Sequence, residues 1–178
     1  MPHVPQPSVE RMVPVPGHPM VVGVVPGQDE LVARTAAAWA AALGGVTLHF
    51  GYADPERVVE EEYPDGTVRH SDLDPDRVDD SWQERDQRIR DFLGKALAGH
   101  DGPWQFHYLA GRPDRALTHL ARAVDASAII VGARHPSRAE RLREFLAESV
   151  ALGLSRHQHR PVLIVPVAVV DWKAPTSW

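Results

Sequence analysis

Residues 128–165 constrain this chain more than any other stretch. They open on Ala128-Ile129-Ile130-Val131-Gly132 and close on Pro161-Val162-Leu163-Ile164-Val165-Pro166. Both runs are short, continuously apolar and rich in β-branched residues. A strand with one wet face would alternate; a continuous run needs burial on both faces, as in a parallel sheet covered by helices. Between the runs lie a basic loop, Ala133-Arg134-His135-Pro136-Ser137-Arg138, and an apolar-periodic segment over residues 141–157. The stretch reads as strand, loop, helix, strand. The loop follows a strand's C-terminal end, where ligands of open α/β sheets sit.

The rest of the chain supplies more such units. Residues 20–25 are apolar and predict a first strand, with Pro26-Gly27-Gln28-Asp29 as the turn after it. A helix over residues 30–43 places Leu31, Thr35, Ala38, Trp39 and Ala42 on one stripe. Gly44-Gly45 ends that helix and residues 46–52 form a second strand. The acidic segment 53–80 predicts disorder or a small exposed hairpin turning at Tyr63-Pro64-Asp65-Gly66, with a binding lid as the alternative. A helix follows from Ser81, with Trp82, Ile89, Phe92, Leu93 and Ala96 inward. A third strand spans residues 104–109. The next helix starts at Pro113 and buries Ala116, Leu117, Leu120, Ala121 and Val124.

Five strands alternating with four helices imply an α/β fold: a doubly wound five-stranded parallel sheet with helices on both faces. Right-handed crossovers favour the strand order 3-2-1-4-5. The order reverses between the first and fourth strands, so the turn after residue 25 and the loop after Gly132 face one crevice. Residues 1–19 carry Pro2, Pro5, Pro7, Pro14, Pro16 and Pro19 and predict a disordered tail. Residues 20–166 then form the domain, with 53–80 as an insertion, and 167–178 a second tail.

Composition narrows the function. A formal net charge of −5 gives no reason to expect nucleic acid as a partner. The chain has no cysteine, which removes disulfides and thiolate metal sites. No apolar run is long enough for a membrane span, and the proline-rich start lacks a signal-peptide core, so the expectation is a cytoplasmic protein. Ala, Arg and Pro usage points to a GC-rich bacterial genome. No nucleophile–base pattern, His-Glu-x-x-His or Walker-type loop is present, so no catalytic residue and no metal ligand is assigned. His157-Gln158-His159 lacks carboxylates at metal-site spacing and reads as a helix end. His49 and His107 fall on strands and read as structural.

In several places the chain resembles the universal stress protein family. These are the Val-Gly-Ala-Arg after the fourth strand, Ser149-Val150, the closing His159-Arg160-Pro161-Val162-Leu163-Ile164-Val165-Pro166, and Leu109-Ala110-Gly111-Arg112-Pro113. The resemblance covers residues 20–166. It implies a five-stranded α/β domain, often dimeric, whose nucleotide-binding members hold ATP at the switch point through a glycine-rich loop. This chain keeps Gly132 and Ser149 of that loop, but has His135 and Glu148 where the family has its second and third glycines. The loop is also longer, and Pro26 stands where the family has an aspartate that helps hold adenosine. A β-carbon at His135 or Glu148 narrows the approach of backbone N–H groups to phosphates. The Glu148 carboxylate would itself occupy a helix N-terminus.

The candidate ligand site is therefore Val25, Pro26, Gly27, Gly132, Arg134, His135, Arg138, Glu148, Ser149 and Val150. The reading adopted is a regulatory or ligand-binding domain of stress response with a degenerate nucleotide site. One alternative is an adenine-nucleotide binder, for ATP or AMP, with Arg134, Arg138 and Ser149 on the phosphates. Another is a protein-interaction module using the acidic segment. A homodimer is expected through Val162–Val165, an apolar edge strand without a charged blocker; the rival is that Val167–Val170 fold back over this edge, with Trp172 and Trp178 anchoring the tail.

Overall fold

The computed structural model describes residues 8–73, 81–133 and 150–167. In chain order the elements are β1 (Met20–Gly23), α1 (Leu31–Ala42), β2 (Leu48–Asp54), β3 (Arg57–Glu62), β4 (Val68–Asp72), α2 (Ser81–Ala96), β5 (Trp104–Ala110), α3 (Pro113–Ala123), β6 (Ala128–Gly132), α4 (Val150–His157) and β7 (Val162–Val165). Five strands form one sheet in the order β5-β2-β1-β6-β7. Setting aside β3 and β4, which form a separate hairpin, this is the expected order 3-2-1-4-5. Every pair in the sheet is parallel, with Met20 opposite both Leu48 and Ala128, and Ile129 opposite Val162.

For β1 and β6 the continuous apolarity has the cause inferred from it; β7 is a correction, since as an edge strand it leaves Ile164 exposed and buries only Val165. One face of the sheet packs Met20, Val22, Leu48, Phe50 and Ile130 under α1 and α2. The other packs Val21, Ile129 and Val131 under α3 and α4 with Leu117, Leu120 and Leu154. Trp104, Phe106 and Tyr108 belong to the first core, where Trp104 meets Phe50 edge to face at 6.2 Å. Among the described residues, no helix is long and apolar enough to cross a membrane.

Helix α1 corrects the predicted stripe. Its buried residues are Val32, Ala33, Ala36 and Ala40, whereas Leu31 and Trp39 are about half exposed, at 46% and 49%. An alanine-rich helix offers two nearly equivalent faces. The face of small residues wins because it lets the backbone lie close to the sheet. The helix stops as expected: Gly44 and Gly45 take φ of +87° and +78°, and Gly45 N donates to Ala40 O at 2.9 Å.

In the acidic segment the described part is the expected hairpin turning at residues 63–66, and the alternative of disorder is corrected there. Asp65 Oδ1 accepts from Thr67 N at 3.0 Å, and Gly66 takes φ +85° to complete the turn. At the other end Arg57, which is buried, donates from Nε to His70 Nδ1 and from Nη1 to Asp72 Oδ1, each at 2.6 Å. His70 in turn lies edge-on to Trp82 of α2 and against Tyr108 of β5. The buried Asp54 accepts from both Arg85 of α2 and Tyr108 Oη. Gly66 sits against Leu120 and Ala123 of α3, on the opposite face of the sheet. The hairpin thus wraps from α2 to α3 around β5, an edge strand that would otherwise be open. Residues 74–80 lie outside the described part.

At the proline-rich start, residues 8–19 hold one 3-10 turn, Val9–Arg11. Pro19 O accepts from Ser127 N at 2.8 Å and so ties the segment to the sheet. His49 and His107 are structural, as expected. They face each other across β2 and β5 with Nδ1 and Nε2 3.0 Å apart, so one ring donates to the other. Burial pushes His107 down to about 4, with neighbouring His49 adding to the effect, and burial lowers His49 as well.

Both groups are held neutral in the folded protein while the unfolded chain titrates near the ordinary histidine value. The stability they contribute is complete above that value and is lost as pH falls from about 6.5 towards 4. Urea unfolding followed across pH 7 to 4 should therefore show a falling midpoint. His107→Gln should fall less steeply over that window; equal slopes would contradict this assignment.

Candidate functional site

The crevice where the strand order reverses lies between the C-terminal ends of β1 and β6. Its first wall is the turn after β1. Gln28 N donates to Val25 O at 3.2 Å, and Gly27 takes the φ of +72° that the second central residue of such a turn needs. Pro26 presets the preceding position and has no N–H to offer a ligand. Val25, Pro26 and Gly27 are exposed. The second wall is Gly132, partly buried, followed by Ala133, whose N donates to Val165 O at 2.7 Å.

One side chain joins these walls. Gln28 Oε1 accepts from Val25 N at 3.1 Å, which turns the amide back over the strand ends. A β-carbon built on Gly132 would lie 2.9 Å from Gln28 Nε2, 3.1 Å from Val32 Cγ2 and 3.2 Å from Val167 Cγ1. Gly132 is thus a glycine because the chain's own side chains crowd it. Gln28 is a site residue that the sequence reading did not single out. A glutamine directly after Pro-Gly at a strand end is the only signal it gives.

The start of α1 is no better suited to an anion. Asp29 Oδ1 accepts from Leu31 N at 2.9 Å, and Glu30 pairs with Arg34. A carboxylate already caps an N–H at this helix start, and its charge opposes a phosphate. Of the described residues that form the crevice, none is cationic; they offer an amide, main-chain groups and apolar carbon.

Of the predicted site, the structure brings Val25, Pro26, Gly27 and Gly132 together. Val150 stands at the start of α4, with its side chain packed into the second core. Arg134, His135, Arg138, Glu148 and Ser149 lie outside the described residues. At the end of α4, Gln158 accepts from Arg160 N and donates to Arg160 O, closing the chain into β7. Among the described residues no group of three His, Cys, Asp or Glu side chains is placed to hold a metal ion.

Compared with known proteins, the sequence matches the Universal stress protein family over residues 18–166. The chain belongs to that family. No curated protein matches it. Solved structures share the fold at low identity. A universal stress protein from Archaeoglobus fulgidus is 21% identical with a TM-score of 0.59, over 83% of this chain and 93% of its own. The universal stress protein from Archaeoglobus fulgidus in complex with dAMP is 21% identical with a TM-score of 0.58, over 83% of this chain and 97% of its own. A universal stress protein in complex with cAMP is 22% identical with a TM-score of 0.57, over 86% and 99%.

Crowding at Gly132 has a measurable consequence. Gly132→Ala should destabilise this universal stress protein by about 1–3 kcal/mol, the range for overpacking a filled site. Gln28→Gly in the same chain should recover part of that loss. Urea denaturation of the two single variants and the double variant decides it, because strict additivity would place Gln28 away from Gly132.

Proposed function

We propose that this protein is a cytoplasmic regulatory and ligand-binding domain of stress response whose nucleotide site has degenerated. The observation that carries this reading is the Gln28 amide lying against Gly132, in the crevice where the family's nucleotide-binding members hold ATP. Pro26 and the carboxylates of Asp29 and Glu30 support it, since they remove one polar contact and oppose negative charge. ATP–Mg should therefore bind weakly or not at all. Calorimetric titration tests this directly; a submicromolar dissociation constant would sink the reading.

A second reading draws on the relatives described with dAMP and with cAMP. In it the protein binds an adenine nucleotide, ATP or AMP, with Arg134, Arg138 and Ser149 on the phosphates and Gln28 swung aside. Native mass spectrometry of the protein as purified separates the two readings, because a retained nucleotide would appear as added mass.

We also propose a homodimer through β7. With the hairpin wrapped around β5, β7 is the remaining edge of the sheet among the described residues, and Ile164 on it is 54% exposed. Pairing β7 with its copy about a two-fold axis would cover that edge. Ile164→Lys should convert the dimer to a monomer with unchanged helix content. Light scattering that gives a monomer for the wild type at micromolar concentration would refute the dimer.

A further inference from the structure

A cleft of about 380 Å³ lies on the α3 face of the sheet, away from the switch point. It runs between Glu62 at the end of β3, the outer face of α3 and His157 at the end of α4. Arg115, His119 and Arg122 recur at i, i+4 and i+7, so one face of α3 brings all three side chains to it. Their backbone positions span about 10 Å along the helix, with Arg112 a further turn towards its start. Three arginines and two histidines thus line the cleft against two carboxylates.

Both carboxylates are already engaged. Asp114 is buried and accepts from Arg112 Nε at 3.1 Å and Nη2 at 2.9 Å. Glu62 reaches His119 Nδ1 at 3.1 Å. Among the described residues neither Arg115 nor Arg122 has a carboxylate partner, and the buried His119 Nε2 has no hydrogen-bond partner. Guanidinium groups that line a cleft without a carboxylate partner are free to take the oxygens of an anion. A second recess of about 220 Å³ shares Arg112, Arg115 and His119 but is walled by Val59, Val68 and Ala116. It has room for an uncharged group attached to that anion.

We propose that this cleft binds a small molecule bearing a diphosphate or longer polyphosphate, with Arg115 and Arg122 on different phosphoryl groups. Two arginines two turns apart on one helix face can take separate phosphoryl groups of one ligand, and the cleft has the volume of a small-molecule site rather than of a polymer groove. Guanidinium forks suit phosphate oxygens.

The probe is inorganic pyrophosphate, titrated by calorimetry into the full chain at constant ionic strength. Saturable binding should weaken at least tenfold in the Arg115→Gln, Arg122→Gln double variant. It should tighten in Glu62→Gln, which removes the competing carboxylate, and stay unchanged in the Arg134→Gln, Arg138→Gln variant of the switch-point loop. Thermal unfolding at the wild-type temperature confirms that each variant is folded. No saturable heat at millimolar pyrophosphate would overturn the proposal. So would loss in the switch-point variant with retention in the Arg115, Arg122 variant, or equal competition by sulfate, which would mean an unselective basic surface.

Discussion

The parallel pairing of β1 with both its neighbours is the constraint on which the rest of this structure depends. The strand has only four residues, Met20–Gly23, yet it joins β2 on one side and β6 on the other. Met20, Val21 and Val22 are buried, feeding one core above the sheet and one below. Because the chain leaves β1 in one direction and returns to its other side only at β6, the strand ends diverge there and open a crevice. A fold of this kind supplies a ligand site by topology. What the site accepts depends on the side chains at its mouth.

In this chain those side chains turn inward. Gln28 satisfies the Val25 N–H and brings its amide up to Gly132, where Val32 and Val167 also approach. Asp29 uses its carboxylate on the first helix N–H. The same chain invests in an edge device elsewhere. The Asp54–Arg85–Tyr108 cluster and the Arg57–His70–Asp72 cluster fasten the hairpin around β5. This insertion therefore contributes to the architecture, and the polar cleft beneath its inner end is a product of that wrapping.

The sheet was legible because burial on both faces leaves a direct mark, the unbroken apolar run of β6; β7 carries the same run although it lies at the edge with Ile164 exposed. Helix α3 was equally legible, since Ala116, Leu117, Leu120 and Ala121 contrast sharply with the charged residues between them. Helix α1 was not, because alanine on every side gives periodicity nothing to discriminate, and Val32 rather than Leu31 points inward. The hairpin of the acidic segment was legible from its turn residues, but the contacts that fasten it to the fold were not. Arg57 finds its partners within the hairpin, but Asp54 depends on Arg85 and Tyr108, far away in sequence. Four residues of the candidate site, Val25, Pro26, Gly27 and Gly132, came from the strand ends and the family pattern. Gln28 did not, because a lone glutamine carries no spacing signal.

Filling of the switch-point crevice by Gln28 is the central claim, and the side-chain amide of Gln28 reports on it directly. Nuclear magnetic resonance can follow that amide together with the backbone amide of Gly132 while ATP–Mg is added to millimolar concentration. The account predicts that neither resonance moves beyond the general effect of added salt. A saturable shift of both at micromolar ATP would show that Gln28 gives way to the nucleotide, and would contradict it.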